Sequence, residues 1–450
     1  MADADRLSRR GFLKHTAKAG AAGFAAPYFV PASVLAGRGH IGANDKINIG
    51  LIGANGQGNW NLDNLLKEPD VVVTAVCEVY KKRRDETLAK CGNNARGYND
   101  FTEVLAREDI DAVVIATPPH WHAIMAVLAA DAGKDFYCEK PMTLSLAESF
   151  AVLRAVQKNK RVTQVGTQMH ASENYRRIVD IVRSGVLGKI SIARTFHVLN
   201  QGPDGIGHVP DTDPPEGLDW DMWLGPGPKR RFNAALFKDS AHHPSFMAYS
   251  GGWTPGMAPH LVDLPYWALE LDYPTYTTSS GGRYLIDDCG DAYDTHEVLW
   301  QFPGLTMTWT TSLINSFAFN LSFDTSRQRR RGIYFQGVNG TIIADYGYLK
   351  IMPEGNFMKH VPSTQAAVAE RPGHHREWLD CIRTREQPSC HVGYHHKVDV
   401  AINLAMLSLK LGRSVRFDPA TASIVNDPEA VKASMPVYRE PWKLPAEYLV

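Results

Sequence analysis

The sequence predicts an α/β chain: a doubly wound parallel sheet first, then an α+β half built on a large, mostly antiparallel open sheet. Three observations lead there. Short apolar runs alternate with helical patterns from Lys46 to Val165, as right-handed βαβ units require. A glycine-rich turn joins the first run to the first helical pattern. After residue 190, strand-like runs separated by Gly- and Pro-rich loops take over.

The elements follow in order. Ile47 to Ile52 reads as a buried strand, Gly53-Ala-Asn-Gly56-Gln-Gly58 as a turn, and the spacing of Leu62, Leu65 and Leu66 as a helix. Val71 to Cys77 is a second strand, ending at Glu78. Phe101 to Leu105 is helical, Ala112 to Ala116 a strand, His122 to Ala132 a helix and Asp135 to Cys138 a strand. Leu146 to Gln157 is a helix and Val162 to Val165 the last strand of this half. Later strands are expected at Ile192 to Val198, His296 to Phe302 and Leu305 to Thr311.

With 450 residues, 44% of them apolar and 21% charged, the chain can bury two or three domain cores at ~150 residues each. Lys plus Arg equals Asp plus Glu, 48 each, so no global basic field marks a nucleic-acid or anionic-membrane binder. One local basic run, Arg327, Arg329, Arg330 and Arg331, reads as a solvated loop. The six cysteines form no CxxC pair, and Cys77 and Cys138 end apolar runs as buried thiols; whether Cys381 and Cys390 pair is left open. The His242-His243 and His374-His375 doublets lack metal-ligand spacing, so no metal is expected.

Ser8-Arg9-Arg10-Gly11-Phe12-Leu13-Lys14, a weakly apolar Ala17 to Val34 and the small-residue site Val34-Leu35-Ala36 resemble a twin-arginine (Tat) export signal. The stretch holds Lys18 and is too short for a membrane span, so the mature chain is expected to be soluble, periplasmic or otherwise exported by the Tat machinery. That pathway moves folded proteins into a space without free nicotinamide cofactor, so a nucleotide enzyme sent there should hold its cofactor tightly.

In the glycine turn, Gly53 allows the tight bend and Gly58 lets helix and strand approach, with Asn55, Gly56 and Gln57 between them. Such a turn aims free N–H groups and the positive helix end at a pyrophosphate. Asn55 stands where the usual second glycine would be. Glu78, at the end of the second strand, is placed to bind ribose hydroxyls and would repel a 2′-phosphate, favouring NAD. Lys81, Lys82 and Arg83 offset this, so NADP stays open.

Further stretches carry a family resemblance: Ala116-Thr117-Pro118-Pro119-His120-Trp121-His122; Ala132 to Cys138-Glu139-Lys140-Pro141; and Val165-Gly-Thr-Gln168. Downstream, Tyr175 to Ile190, Leu218 to Trp220, Trp223 to Pro226, Gly251-Gly252 with His260 and Asp263, Gly337 to Asp345, and Gly412-Arg413 extend it over nearly the whole chain after residue 46. Together they resemble the glucose–fructose oxidoreductase and inositol dehydrogenase (Gfo/Idh/MocA) family. The resemblance implies a Rossmann dinucleotide-binding domain over 37–168 after a signal over 1–36. It also implies a substrate-binding and oligomerisation domain over 169–450, with a sheet face that makes dimers or tetramers.

It further implies the site. Lys140 would contact nicotinamide and the substrate hydroxyl, with Glu139 orienting the loop or the ribose. Thr117, Pro118, His120, Trp121, His122 and Gln168 would border the cofactor. His260 would be a general base or orienter. Many relatives have an aspartate four residues before that histidine; here Gly256 stands there, and Asp263 is a candidate substitute. His170 replaces an arginine common in relatives and joins the expected substrate contacts. His197, Tyr249 and Trp253 are candidates for a sugar-stacking, hydroxyl-binding wall. The function expected is NAD(P)-dependent oxidation or reduction of a sugar or polyol. The alternatives are a redox-assisted glycosidase, in which transient oxidation lets a glycoside eliminate, and a non-catalytic sensor.

Overall fold

The computed structural model describes residues 45–92, 95–317, 330–358 and 372–449. The export-signal stretch and residues Arg327 and Arg329 of the basic run lie outside the described residues. Residues from Ile47 onward form one compact unit.

Among the described residues, six strands make a wholly parallel sheet: β1 (Ile47–Ile52), β2 (Val71–Cys77), β3 (Arg96–Tyr98), β4 (Ala112–Ile115), β5 (Asp135–Cys138) and β6 (Thr163–Val165), in the order β3-β2-β1-β4-β5-β6. β1 and β4 are apolar almost without interruption because both faces are covered. Successive residues go to opposite cores: Leu51 packs with Val73 and Val114, whereas Ile52 packs with Cys77 and Val113.

Helices α1 (Gly56–Leu65), α2 (Lys81–Cys91), α3 (Phe101–Leu105), α4 (His122–Asp131) and α5 (Leu146–Asn159) are the crossovers. α5 starts on a capping box: Ser145 accepts from the Glu148 amide at 3.3 Å, and Glu148 accepts from the Leu144 amide at 2.8 Å.

The second half contains α6 (Glu173–Arg183), β7 (Ile190–Val198), a short pair β8 (Asp211–Thr212) and β9 (Phe232–Asn233), and α7 (Trp253–Leu269). It continues through β10 (Tyr276–Gly282), β11 (Thr295–Phe302), β12 (Leu305–Ser312), β13 (Arg331–Gly337), β14 (Gly340–Ala344) and β15 (Leu349–Pro353). It goes on through α8 (His374–Thr384), α9 (Val392–Leu411), β16 (Val415–Asp418) and β17 (Ser423–Ile424) to a short helix at Pro428–Ala433. Nine of these strands form one sheet, ordered β15-β14-β13-β7-β12-β11-β10-β16-β17. Only β7 and β12 pair in parallel. One face buries Trp300, Trp309, Met307, Ile333 and Phe335 against α6, α7 and α9.

Two returns of the chain tie the halves together. α8 buries Trp378, Leu379 and Ile382 on the β1–β4 side of the parallel sheet. Arg376 grips Asp70 at 2.8 and 3.0 Å, and Arg385 reaches Asp135 at 3.0 Å. The C-terminal Leu444 and Tyr448 close the opposite core beside α4 and α5. Cys381 and Cys390 form no disulfide with each other, and both are buried. No helix among the described residues is long and apolar enough to cross a membrane.

α9 runs between these cores and carries Asp399, fully enclosed, which accepts from the Thr143 hydroxyl and from Asn403 Nδ2 at 3.2 Å. Burial, with the Glu148 charge adding to it, pushes Asp399 up from 3.8 to about 7 against the donors that lower it. The folded chain therefore keeps a proton that the unfolded chain releases near 3.8, so this stability is lost as pH climbs from about 4 to about 7. Asp399→Asn should leave Tm nearly unchanged at pH 4 and raise it relative to the parent at pH 8. A Tm difference that is the same at both pH values would refute this.

Candidate active site

The glycine turn is dictated by close backbone approach. Gly53 has φ +92°, and a Cβ there would stand 2.6 Å from the Ala116 carbonyl; one on Gly58 would stand 2.0 Å from the Gly53 carbonyl. α1 begins without a side-chain cap at Asn55, so its first amides face a cleft of about 410 Å³ lined by Asn55, Gly56 and Gln57. Glu78 lies in the same cleft and takes two backbone amides, Ala54 at 2.9 Å and Tyr80 at 3.0 Å. This fixes a carboxylate beside the turn. Arg83 also lines the cleft, but its guanidinium sits 4.0 Å over the Phe237 ring.

The ends of β4 and β5 form the floor. Thr117, Pro118, Trp121 and His122 line the cleft; His120 lies behind it. His122 Nδ1 is 2.7 Å from the Pro141 carbonyl and Nε2 is 2.8 Å from that of Thr117, so the ring sits wedged between the two strand ends. Burial pulls its pKa down. His120 faces the Tyr249 and Trp223 carbonyls at 3.3 and 3.1 Å, and Trp121 Nε1 donates to Trp223 at 3.1 Å.

Glu139 is buried and accepts from Asn61 Nδ2 at 3.0 Å and from the Tyr137 hydroxyl at 3.3 Å; Gln168 Nε2 donates to that hydroxyl at 3.3 Å. Lys140 Nζ donates to the Gly256 carbonyl at 3.2 Å. Burial drags the Lys140 ammonium below its ordinary pKa, opposed only by the Glu139 charge.

α7 supplies the opposite wall. Trp253, Gly256 and Met257 line the cleft, and His260 follows on the same stripe at i, i+3, i+4 and i+7. His260 Nδ1 is 3.2 Å from the Thr167 carbonyl, which places the proton on Nδ1 and leaves Nε2 as the acceptor. Burial, then the Lys140 charge, holds this ring well below its ordinary pKa, so it is neutral. A Cβ at Gly256 would meet nothing nearer than Pro244 at 3.9 Å, so the position of the absent carboxylate is open space.

Asp263, His170, His197 and Tyr249 are among the expected residues that do not line this cleft, together with Gly58, His120, Gln168 and His260. Asp263 is wholly buried: its carboxylate takes the Tyr394 hydroxyl at 2.6 Å and faces His170 Nε2 at 3.1 Å. Burial alone would raise its pKa, but the His170 contacts and Tyr394 keep it low. His170 stacks on Trp267 with centroids 3.9 Å apart. Asp263 and His170 therefore face each other in the core rather than in the cleft. His197 on β7 stacks behind Trp253 at 6.0 Å, and the Tyr249 hydroxyl is spent on the Pro228 carbonyl at 2.6 Å.

The expected residues omitted a strap over residues 217–244. Its Gly217 carbonyl accepts from the Lys81 amide at 2.8 Å, and its Asp219 amide donates to Val79 at 3.0 Å. Met222, Trp223, Phe237 and His243 from this strap line the cleft. In the sequence, Leu218 to Trp220 and Trp223 to Pro226 of this strap carried family resemblance, but no site role was assigned to them.

The uncapped helix end, the two forced glycines and the anchored Glu78 fit a dinucleotide. Residues 47–167 match the GFO_IDH_MocA oxidoreductase family's NAD-binding Rossmann fold, and residues 326–444 match its C-terminal alpha/beta domain. The chain belongs to this family, and its first half is an NAD-binding domain. A 145-residue stretch is 32% identical to inositol 2-dehydrogenase of Salmonella typhimurium, covering 32% of this chain and 43% of that protein. Another, of 208 residues, is 28% identical to a glycosyl hydrolase family 109 protein of Shewanella pealeana, covering 41% and 44%. The chain thus spans less than half the length of these curated relatives.

Among solved structures, levoglucosan dehydrogenase in complex with NADH and levoglucosan aligns with TM-score 0.58 at 17% identity over 82% of this chain and 99% of that one. The WlbA dehydrogenase of Bordetella pertussis in complex with NADH and UDP-GlcNAcA gives 0.62 at 15% over 83% and 98%. These likenesses establish the fold.

Gly58→Ala should cost NAD affinity at least about tenfold, because its Cβ forces the turn away from the helix end. Fluorescence titration with NAD checks this, alongside a far-UV CD spectrum like the parent's. Unchanged affinity would contradict the placement of the pyrophosphate.

Proposed function

We propose that the protein is an exported, NAD-dependent oxidoreductase of a sugar or polyol hydroxyl that retains its cofactor between turnovers. The observation that carries this reading is Lys140: a half-buried ammonium at the carboxyl end of β5, inside the nucleotide cleft, hydrogen-bonded to the facing helix. A bound nicotinamide supplies the hydride acceptor or donor. The chain's residues handle the proton. Lys140 Nζ keeps N–H donors beyond the one spent on Gly256 and can hold a substrate oxygen. Its lowered pKa lets it pass a proton rather than only hold a charge. His260, one turn beyond the cleft-lining Gly256 and Met257, is fixed in one tautomer by Thr167, with Nε2 as its acceptor. Trp253, Met257 and Trp223 give an apolar wall that suits a sugar face and excludes water.

Retention is supported by the strap, which bolts the second half to the loop beyond Glu78 and lays Phe237 on Arg83. The Arg9-Arg10 pattern supports export. The outer face of the nine-stranded sheet, where Leu299 is exposed, is where we place self-association into a dimer or tetramer. A second reading, redox-assisted glycoside cleavage, is favoured by the open space at Gly256 and by the similarity to the family 109 protein. Its product is a free aglycone without net redox change, where the first reading gives a keto sugar or lactone.

Lys140→Met should lower kcat/KM by roughly 10²- to 10⁴-fold and abolish a pH limb that lies below the ordinary lysine value of 10.5. Purified protein should release NAD(H) on denaturation after exhaustive dialysis, and Phe237→Ala should speed that loss. Steady-state assays on a sugar panel and mass spectrometry of the released nucleotide check both. Full activity in Lys140→Met would sink the assignment.

A further inference from the structure

Behind the cleft lies a polar chain that reaches the site from the far end of the sequence. His375, on α8, is sandwiched between the Tyr137 ring, stacked at 5.3 Å and 12°, and the Trp60 ring at 5.2 Å. Its Nε2 is 2.8 Å from Asn61 Oδ1, and Asn61 Nδ2 in turn donates to Glu139 Oε1 at 3.0 Å. The order of donors is forced. A flipped Asn61 would aim its oxygen at the Glu139 carboxylate, so Oδ1 faces His375 and the histidine must donate from Nε2. Asn61 is fully buried, and Glu139 lies so close to Gly166 that a Cβ there would stand 2.7 Å from the carboxyl carbon. Packed against Gly166 on that side, the carboxylate also accepts from the Tyr137 hydroxyl and the Lys140 amide, each at 3.3 Å.

We propose that His375 is a positioning residue for this site: through Asn61 it holds the Glu139 carboxylate in place, and Glu139 in turn holds the Lys140 charge. The inference rests on the oxidoreductase reading for its consequence in turnover, but the chain of hydrogen bonds stands without it.

Burial raises the Glu139 carboxyl's pKa, and Lys140, Asn61 and Gln57 oppose the rise. Burial lowers the Lys140 ammonium's pKa, and Glu139 opposes the fall. Each group that steadies ionised Glu139 therefore also steadies protonated Lys140. The other titratable groups around the pair are Tyr137 on β5, His122 on α4 and His260 on α7. His375 itself faces His374 and Lys67; burial brings it down to about 4, so it stays a neutral donor through the working range. Cutting the relay should loosen Asn61, weaken the ionised form of Glu139 and shift Lys140 to lose its proton at lower pH.

The test uses the full chain loaded with NAD and two variants that both lose the stacked ring. His375→Gln keeps an N–H donor near the Nε2 position, and His375→Leu has none. The lysines are reductively ¹³C-methylated, the Lys140 resonance is assigned by its absence in Lys140→Arg, and its pH titration is followed by NMR. His375→Leu should move the Lys140 midpoint down by about one unit, and His375→Gln should restore it. On a substrate that is turned over, His375→Leu should lower kcat by about tenfold with KM within about twofold of the parent, and His375→Gln should recover most of the loss.

Asn61→Ser cuts the same link with the ring in place and should give the leucine result; it decides alone if His375→Leu does not fold. Equal Lys140 midpoints in the leucine and glutamine variants, or no shift in Asn61→Ser, would overturn the proposal. If no sugar is turned over, the oxidoreductase reading fails while the NMR titration still reports on the relay.

Discussion

The structure turns on one contact: the Lys140 ammonium, drawn out of water between the two halves, donating to the Gly256 carbonyl at 3.2 Å, with the Glu139 charge opposing the loss of its proton. A half-buried ammonium is costly unless nearby charge and oriented acceptors compensate. That requirement explains much of what surrounds it. His122 is wedged between the two strand ends beside the Lys140 loop. Asn61 and Tyr137 fix Glu139. α7 offers a backbone carbonyl at Gly256 where no side chain competes for the ammonium.

The two halves are interlocked rather than merely adjacent. The first half supplies the glycine turn and the lysine, and the second supplies α7, the strap and α8. α8 is the least expected part, because it completes a core that begins at Ile47 more than 300 residues earlier, with Trp378 and Leu379 packed against β1 and β2. The same helix delivers His375 to the back of the site. Cofactor site, substrate wall and their support are therefore assembled only when both sheets are in place.

Much of this was legible from residues alone. β1, β2, β4 and β5 announce themselves because a parallel strand covered on both faces must be apolar throughout. Gly53 and Gly58 were legible because close backbone approach demands glycine at that spacing, and Glu78 was expected at the end of β2, where it takes the Ala54 amide. β3 was not: Arg96-Gly97-Tyr98 is an edge strand with little buried surface. Nor was α2, which buries only Thr87 and so carries no apolar stripe. Asp263 was misplaced because i+3 spacing puts it near His260 on the helix but does not say which neighbour it meets, and His170 and Tyr394 claim it. His375 had no readable signal, since its partner Asn61 is 314 residues away and only the tertiary fold brings them together. The Trp253, Gly256, Met257 and His260 stripe was present in the sequence but masked by an otherwise apolar helix.

The most direct test of the account is isotopic. The protein, carrying its nucleotide, is incubated with a panel of sugars and polyols deuterated at each carbinol carbon, and the nucleotide is then released and weighed. The account predicts that at least one compound adds a single deuterium to the nicotinamide, and that Lys140→Met loses the transfer while still holding the nucleotide. Bound nucleotide that takes up no deuterium from any sugar or polyol would contradict it.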